Sequence, residues 1–183
     1  MHTRRIHLLL ALLAVLAAAT VVHAVDTSKI VVLAAHYASI EASMRKSADT
    51  HVAEKFLNKT VPYCEIPLHD PHGGTEGKPL DNGYAAYTVN VPTGGHYLLW
   101  VRANWYDTCG NSFFVRVDQT PAVAVGQDAT CGKWHWVKGK SYQLTAGPHV
   151  IYFQNREDGT KYDEFALVKG SYVPTRFERE TPQ

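Results

Sequence analysis

Residues 141–169, SYQLTAGPHVIYFQNREDGTKYDEFALVK, decide how this chain folds. Along them Tyr142 and Leu144, then Val150, Tyr152 and Gln154, alternate with a second set of side chains, the period-two pattern of a pleated strand. After the charged segment 155–159 (NREDG), Asp163, Phe165 and Leu167 fall on one face and Glu164, Ala166 and Val168 on the other. Asn, Asp and Gly are residues that reverse a chain. The stretch therefore predicts two strands joined as an antiparallel hairpin, with its turn at NREDG.

Outside this stretch, the same alternation recurs at 84–91, 96–104, 112–118, 121–125 and 134–138, and within it the strands run 142–146, 150–154 and 163–169, with short turns such as 92–95 (PTGG) between strands. Residues 29–34 (KIVVLA) read as a first strand, and 61–67 as an extended segment whose ends are marked by Pro62 and Pro67. Between them, 38–58 carries no single pattern, and 39–46 within it fits either a helical turn or a strand. Residues 69–83 form a polar loop long enough to be functional or mobile. Many short strands, with no long amphipathic helical stripe, predict an all-β, antiparallel sandwich or barrel.

Several segments then carry a family resemblance. Leu144, Ala146, Gly147, His149 and Ile151, together with Arg156, Glu157, Asp158, Gly159, Tyr162 and Asp163, resemble the last hairpin of the carbohydrate-binding modules of families 6 and 35. Residues 83–105 (GYAAYTVNVPTGGHYLLWVRANW) resemble an earlier pair of strands in those modules, 111–118 (NSFFVRVD) their next strand, and 40–42 (IEA) part of their opening Glu-Ala-Glu. Together these cover most of the chain after about position 36. The resemblance implies a jelly-roll β-sandwich of two sheets and noncatalytic glycan binding. It also implies a structural Ca²⁺ between Glu41 and Asp163, hard oxygen donors of the kind that ion takes. Ser43 stands where the second Glu of the opening motif is expected, so either backbone carbonyls and water complete the shell or hydrogen bonds replace it.

Residues 1–24 belong to a different class of signal. Arg4 and Arg5 precede an apolar run ending at Val22, and Val22-His23-Ala24 offers a cleavage site, so a secretory signal peptide is expected. The remainder of the chain is one domain's length, read as a sandwich domain over 25–172 with a flexible tail at 173–183. The whole chain carries a formal charge of +1, and losing Arg4 and Arg5 makes it slightly negative, which leaves no electrostatic footprint for nucleic acid or anionic lipid. Neither nucleic acid nor membrane insertion is expected.

Export to an oxidising compartment permits disulfides. Of the three cysteines, Cys109 and Cys131 sit in similar Thr-Cys-Gly loops flanking one strand region, and a disulfide between them would close a loop of roughly 20 residues, worth ~3 kcal/mol in the chain-entropy account. Cys64 is then left either as a buried thiol or as an intermolecular bridge. Oligomers would form through that thiol or through strand edges.

Pyranose C–H faces are apolar and pack on aromatic rings, while sugar hydroxyls take planar polar partners. Trp105 and Tyr106 end a strand, Trp134 and Trp136 flank His135, and a closed cysteine loop would gather them at one end of the sandwich, with Asp107 and Asn111 as hydroxyl partners. Core burial competes for these rings. Trp134 and Trp136 share a face, whereas Trp105 and Tyr106 point oppositely, so at least one of the latter pair faces outward. Arg102 near Trp100, and Arg116 near Phe114, predict guanidinium stacking on the sheet surface.

Other chemistry has less sequence support. His69 and His72 read as parts of a solvated loop, and a copper site using His23 as N-terminus would require cleavage after Val22. Asn58-Lys59-Thr60 fits an N-glycosylation acceptor. No Gly-x-Ser-x-Gly, P-loop or HExxH motif occurs, and glycoside hydrolysis needs two converging carboxylates that linear spacing does not reveal. The expected function is a secreted, noncatalytic polysaccharide- or glycan-binding protein, extracellular or in the cell envelope. The alternatives are a structural or adhesive protein of the same fold without a sugar site, and a small hydrolase of that fold.

Overall fold

The computed structural model describes residues 27–49, 61–71 and 83–175. Eleven strands and no helix occur among them: β1 (Lys29–Leu33), β2 (Ser39–Glu41), β3 (Arg45–Asp49), β4 (Val61–Ile66), β5 (Tyr84–Val91), β6 (Gly95–Trp105), β7 (Ser112–Val117), β8 (Val123–Gly126), β9 (His135–Leu144), β10 (Gly147–Gln154) and β11 (Thr160–Val168). One sheet runs β3-β4-β11-β6-β9, with β1 also paired to β11; the other runs β2-β5-β10-β7-β8. All these pairings are antiparallel. The stretch after residue 38, which fits helix or strand by sequence, supplies β2 and β3, while the expected leader, the Asn58 acceptor and His72 lie outside the described residues.

Residues 141–169 fold differently from a hairpin. β10 pairs with β5 and β7 in one sheet, whereas β11 pairs with β1, β4 and β6 in the other. The NREDG segment thus carries the chain from sheet to sheet. Alternation shows which face of a strand is apolar, and a strand leaving for the opposite sheet has the same alternation as one turning back beside its predecessor.

β9 joins two segments that read as separate strands. Leu98 faces Ser141 and Trp100 faces Lys138, so β9 carries one extra residue there, a β-bulge at Gly139. A Cβ at Gly139 would stand only 3.1 Å from the Leu99 side chain, so the missing side chain lets the two strands close.

Between the sheets lies a continuous core containing Tyr87, Tyr97, Trp105, Phe113, Phe153, Tyr162 and Phe165. Phe153 of one sheet stacks on Tyr162 of the other at 4.3 Å and 14°. The Tyr87 hydroxyl donates to the Ala34 carbonyl at 2.8 Å and meets the Tyr162 hydroxyl at 2.8 Å, while the Cys64 thiol donates to the same carbonyl at 3.1 Å. These buried polar atoms satisfy one another. Burial pushes the Tyr87 and Tyr162 hydroxyls well above the ordinary tyrosine range and raises the Cys64 thiol. With 0 % exposure, Cys64 is out of reach of a second chain, which removes it as an oligomer bridge.

The β7–β8 and β9–β10 turns are clamped together by His149, whose Nδ1 lies 2.7 Å from Asp118 Oδ2 and whose Nε2 lies 3.0 Å from the Thr145 carbonyl. Both ring nitrogens face acceptors, which suits the doubly protonated ring. Burial pulls the His149 pKa down, but the hydrogen bonds to Asp118 and Thr145 and the Asp118 charge outweigh it and raise the value above 6.5. For Asp118, burial acts upward and is outweighed by hydrogen bonds from His149 and the Val150 N–H and by the His149 charge, leaving it below 3.8. The His149 contribution is therefore present below pH 6.5 and lost as pH rises through the raised folded-state value; that of Asp118 is present above 3.8 and lost as pH falls through its lowered value. Melting curves across acid to alkaline pH should show wild type losing its advantage over His149→Gln above neutrality. A difference that stays constant with pH would refute the clamp.

Candidate functional site

At one end of the sandwich, the loop leaving β6 runs beside the loop entering β9. The Gln127 N–H donates to the Asn111 carbonyl at 2.9 Å, Asn111 Nδ2 donates to the Asp128 carbonyl at 2.9 Å, and the Gly132 N–H donates to the Trp105 carbonyl at 2.8 Å. The NREDG segment knits in from below. Glu157 Oε2 accepts the Asn111 N–H at 3.0 Å and the Ser112 hydroxyl at 2.7 Å, Arg156 pairs with Glu157, and Asp158 Oδ2 accepts the His69 N–H at 2.6 Å.

These contacts redistribute the expected site residues. Trp105 is 0 % exposed, its ring 5.5 Å from Phe113 and 6.0 Å from His135, so it belongs to the core and offers no face to a ligand. Asn111 is buried and its amide holds the loop. Asp107 is exposed, but its Oδ1 accepts the Cys109 and Gly110 N–H groups at 2.8 and 2.7 Å and shapes the turn. Trp136 is half-buried and packs with Trp100 on Val31, Ala166 and Val168, a small apolar cluster on the outer face of the first sheet. Two rings remain available. Tyr106 is 60 % exposed, and half-buried Trp134 stands edge-on to Tyr63 at 5.9 Å, with the Arg102 guanidinium 5.5 Å from its ring. Arg116 does stack on an aromatic ring, at 4.1 Å, but on Tyr152 of the neighbouring strand rather than on Phe114.

The expected Cys109–Cys131 disulfide is absent, and all three cysteines are free thiols. The Asp107-held turn leaves Cys109 exposed to solvent, while Cys131 bridges to Trp105 and packs against the core. Hydrogen bonds between the two loops do the joining that the sequence assigned to sulfur.

A groove of about 650 Å³ opens beside Tyr106. Its polar lining is a row in register across four strands: Arg45 on β3 faces Glu65 on β4, Glu65 faces Lys161 on β11, and Lys161 faces Asn104 on β6. Glu65 Oε1 takes Arg45 Nε at 2.9 Å, Arg45 Nη2 at 2.8 Å and the Ser47 hydroxyl at 2.6 Å. Lys161 Nζ lies 5.1 Å from the Tyr63 ring centre. Leu68 and Tyr106, both exposed, add apolar surface, and Gly159 lies beneath them. A concave site with aromatic walls and a few convergent polar groups is the usual form of a small-molecule or sugar site.

None of Arg45, Glu65, Lys161 and Asn104 stood out in the sequence. Each is a polar residue on the outward face of its strand. Only the pairing of strands distant in sequence aligns them.

The two carboxylates assigned to calcium lie on different sheets, and each has a protein partner. Asp163 is 0 % exposed and its Oδ2 lies 2.5 Å from Arg102 Nη1, so a guanidinium takes that oxygen. Glu41 is exposed on β2 of the other sheet and accepts the Tyr84 hydroxyl at 2.9 Å. No group of three or more His, Cys, Asp or Glu placed to hold a metal occurs among the described residues.

Comparison with solved structures gives several sandwiches of this arrangement. The carbohydrate-binding module of Cellvibrio mixtus lichenase 5A, solved in complex with cellotriose, superposes with a TM-score of 0.55 at 16 % identity over 77 % of this chain and 97 % of that one. The fold is that of the family 6 and family 35 modules. The family 35 module from Clostridium thermocellum gives a TM-score of 0.52 at 17 % identity, covering 78 % of this chain and 93 % of that one. A Podospora anserina GH26-CBM35 β-(1,4)-mannanase gives 0.56 at 14 % identity over 81 % of this chain, which spans only 29 % of the enzyme. No family model matches the sequence, and no curated protein matches it.

Proposed function

We propose that this chain is a secreted, noncatalytic glycan-binding module that seats a saccharide in the groove beside Tyr106. The observation that carries the reading is the row Arg45, Glu65, Lys161 and Asn104 under an exposed Tyr106. Ring and leucine surface receive the C–H face of a sugar, while amide, ammonium and guanidinium groups take its hydroxyls. The fold shared with sugar-binding modules supports this assignment, since such a site on such a scaffold needs no further catalytic parts. Glu65 is the one carboxylate among the residues lining the groove and is held by Arg45 and Ser47, whereas hydrolysis of a glycoside uses two. No helix among the described residues is long and apolar enough to cross a membrane.

A glycan array with calorimetry on the hits tests the proposal. Wild type should retain at least one polysaccharide, and Tyr106→Ala should weaken it ~10- to 30-fold, about 1.4–2 kcal/mol. Asn104→Ala should weaken it less, by roughly 1 kcal/mol for one hydrogen bond. Retention of no glycan by wild type would reject the reading in favour of a structural or adhesive protein.

A further inference from the structure

Three charged side chains are buried where β11, β6 and β1 meet: Asp163 and Glu164 at 0 % exposure and Arg102 at 5 %. Asp163 is the extra residue of a β-bulge, because Tyr162 faces Ala103 and Glu164 faces Arg102, leaving Asp163 without an opposite number on β6. The bulge sits at a junction, since β4 pairs with β11 up to Tyr162 and β1 pairs with it from Glu164 onward. At that point the Asp163 carbonyl accepts the Ala34 N–H at 2.8 Å, tying the exit of β1 to the same residue.

A carboxylate at such a depth requires a countercharge. The family resemblance assigns that role to calcium shared with Glu41, yet Glu41 lies on the other sheet with its carboxylate on Tyr84. What stands against Asp163 is Arg102 Nη1, at 2.5 Å. We propose that the Arg102 guanidinium is the resident cation of this junction, so that the sandwich closes without a divalent metal ion. A guanidinium keeps its charge across the working pH range and cannot be chelated. The same group lies 5.5 Å from the Trp134 ring, which packs edge-on against Tyr63 at 5.9 Å. One cation thereby offsets the Asp163 carboxylate and braces the aromatic pair beside the groove.

Thermal unfolding of the purified full chain provides the test, with no ligand required. Melting midpoints in excess EDTA and in ~5 mM CaCl₂ should coincide, whereas a rise of ~5 °C or more with calcium would overturn the proposal. Arg102→Gln, which keeps the length and removes the charge, should lower the midpoint by roughly 10 °C or more, and adding Asp163→Asn should restore part of that loss. No drop in the single variant, or no recovery in the double variant, would also overturn it. Should Arg102→Gln fail to fold, Arg102→Lys is the variant to read. It should melt below wild type and identically in EDTA and calcium, and a calcium-dependent midpoint in that variant would count against the proposal.

Discussion

Trp105→Ala is expected to destabilise the domain by about 3–5 kcal/mol, the cost of removing a large buried ring, while Tyr106→Ala, one residue further on, should shift stability by no more than about 0.5 kcal/mol. The contrast comes from the strand pleat. Trp105 points into the core against Phe113 and His135 and is 0 % exposed, while Tyr106 has just left β6 and is 60 % exposed. Trp105 also anchors the second loop through its carbonyl, which accepts the Gly132 N–H, and through its bridge to Cys131. Urea unfolding of both variants, alongside glycan retention, checks the expectation. Should Trp105→Ala keep its full stability and lose only glycan retention, the indole would have to lie at the surface, and the assignment of Tyr106 as the exposed ring would fail with it.

The second large effect is expected at Gly159. A Cβ built there would stand 2.7 Å from Tyr106 Cβ and 3.2 Å from Leu68 Cδ1, and the backbone is left-handed at φ 69°. Gly159→Ala should therefore cost ~1–2 kcal/mol from the backbone alone, and more from the contact, which only displacement of Tyr106 relieves. Glycan affinity should fall together with stability, by about tenfold or 1.4 kcal/mol. Gly170→Ala is the matching control, because φ there is 82° but a new Cβ meets nothing within 4 Å. It should lose stability from the backbone while binding remains at the wild-type level. Equal binding by the two variants would show that Gly159 does not set the position of Tyr106.

Much of the architecture was legible along the chain. Alternation located most of the strands and assigned Phe165 and Leu167 to one face of β11 and Ala166 and Val168 to the other. In the structure the first pair is in the main core and the second is in the outer cluster with Trp100 and Trp136. The opposite orientation of Trp105 and Tyr106 was equally readable, and burial decided which of them faces out. Asp163 and Glu164 illustrate the limit. A bulge between Tyr162 and Glu164 breaks the alternation, and nothing local marks its position.

Errors arose where a local signal admitted two long-range outcomes. NREDG is a good reversal, but the chain reverses between sheets. Matching Thr-Cys-Gly loops suggested a covalent bond, yet Asp107 shapes the first loop, hydrogen bonds at Asn111 join it to the second, and both thiols are left free.

By itself the amino-acid order determined the pleat: which residues alternate, where the chain turns, and that an antiparallel two-layered β structure results. The tertiary structure alone decided which strands lie side by side, and with that the row from Arg45 to Asn104, the burial of Trp105 and the pairing of Arg102 with Asp163. Side-chain alternation is a property of one strand's backbone, whereas neighbours and register are selected by the apolar faces of all the strands being buried together.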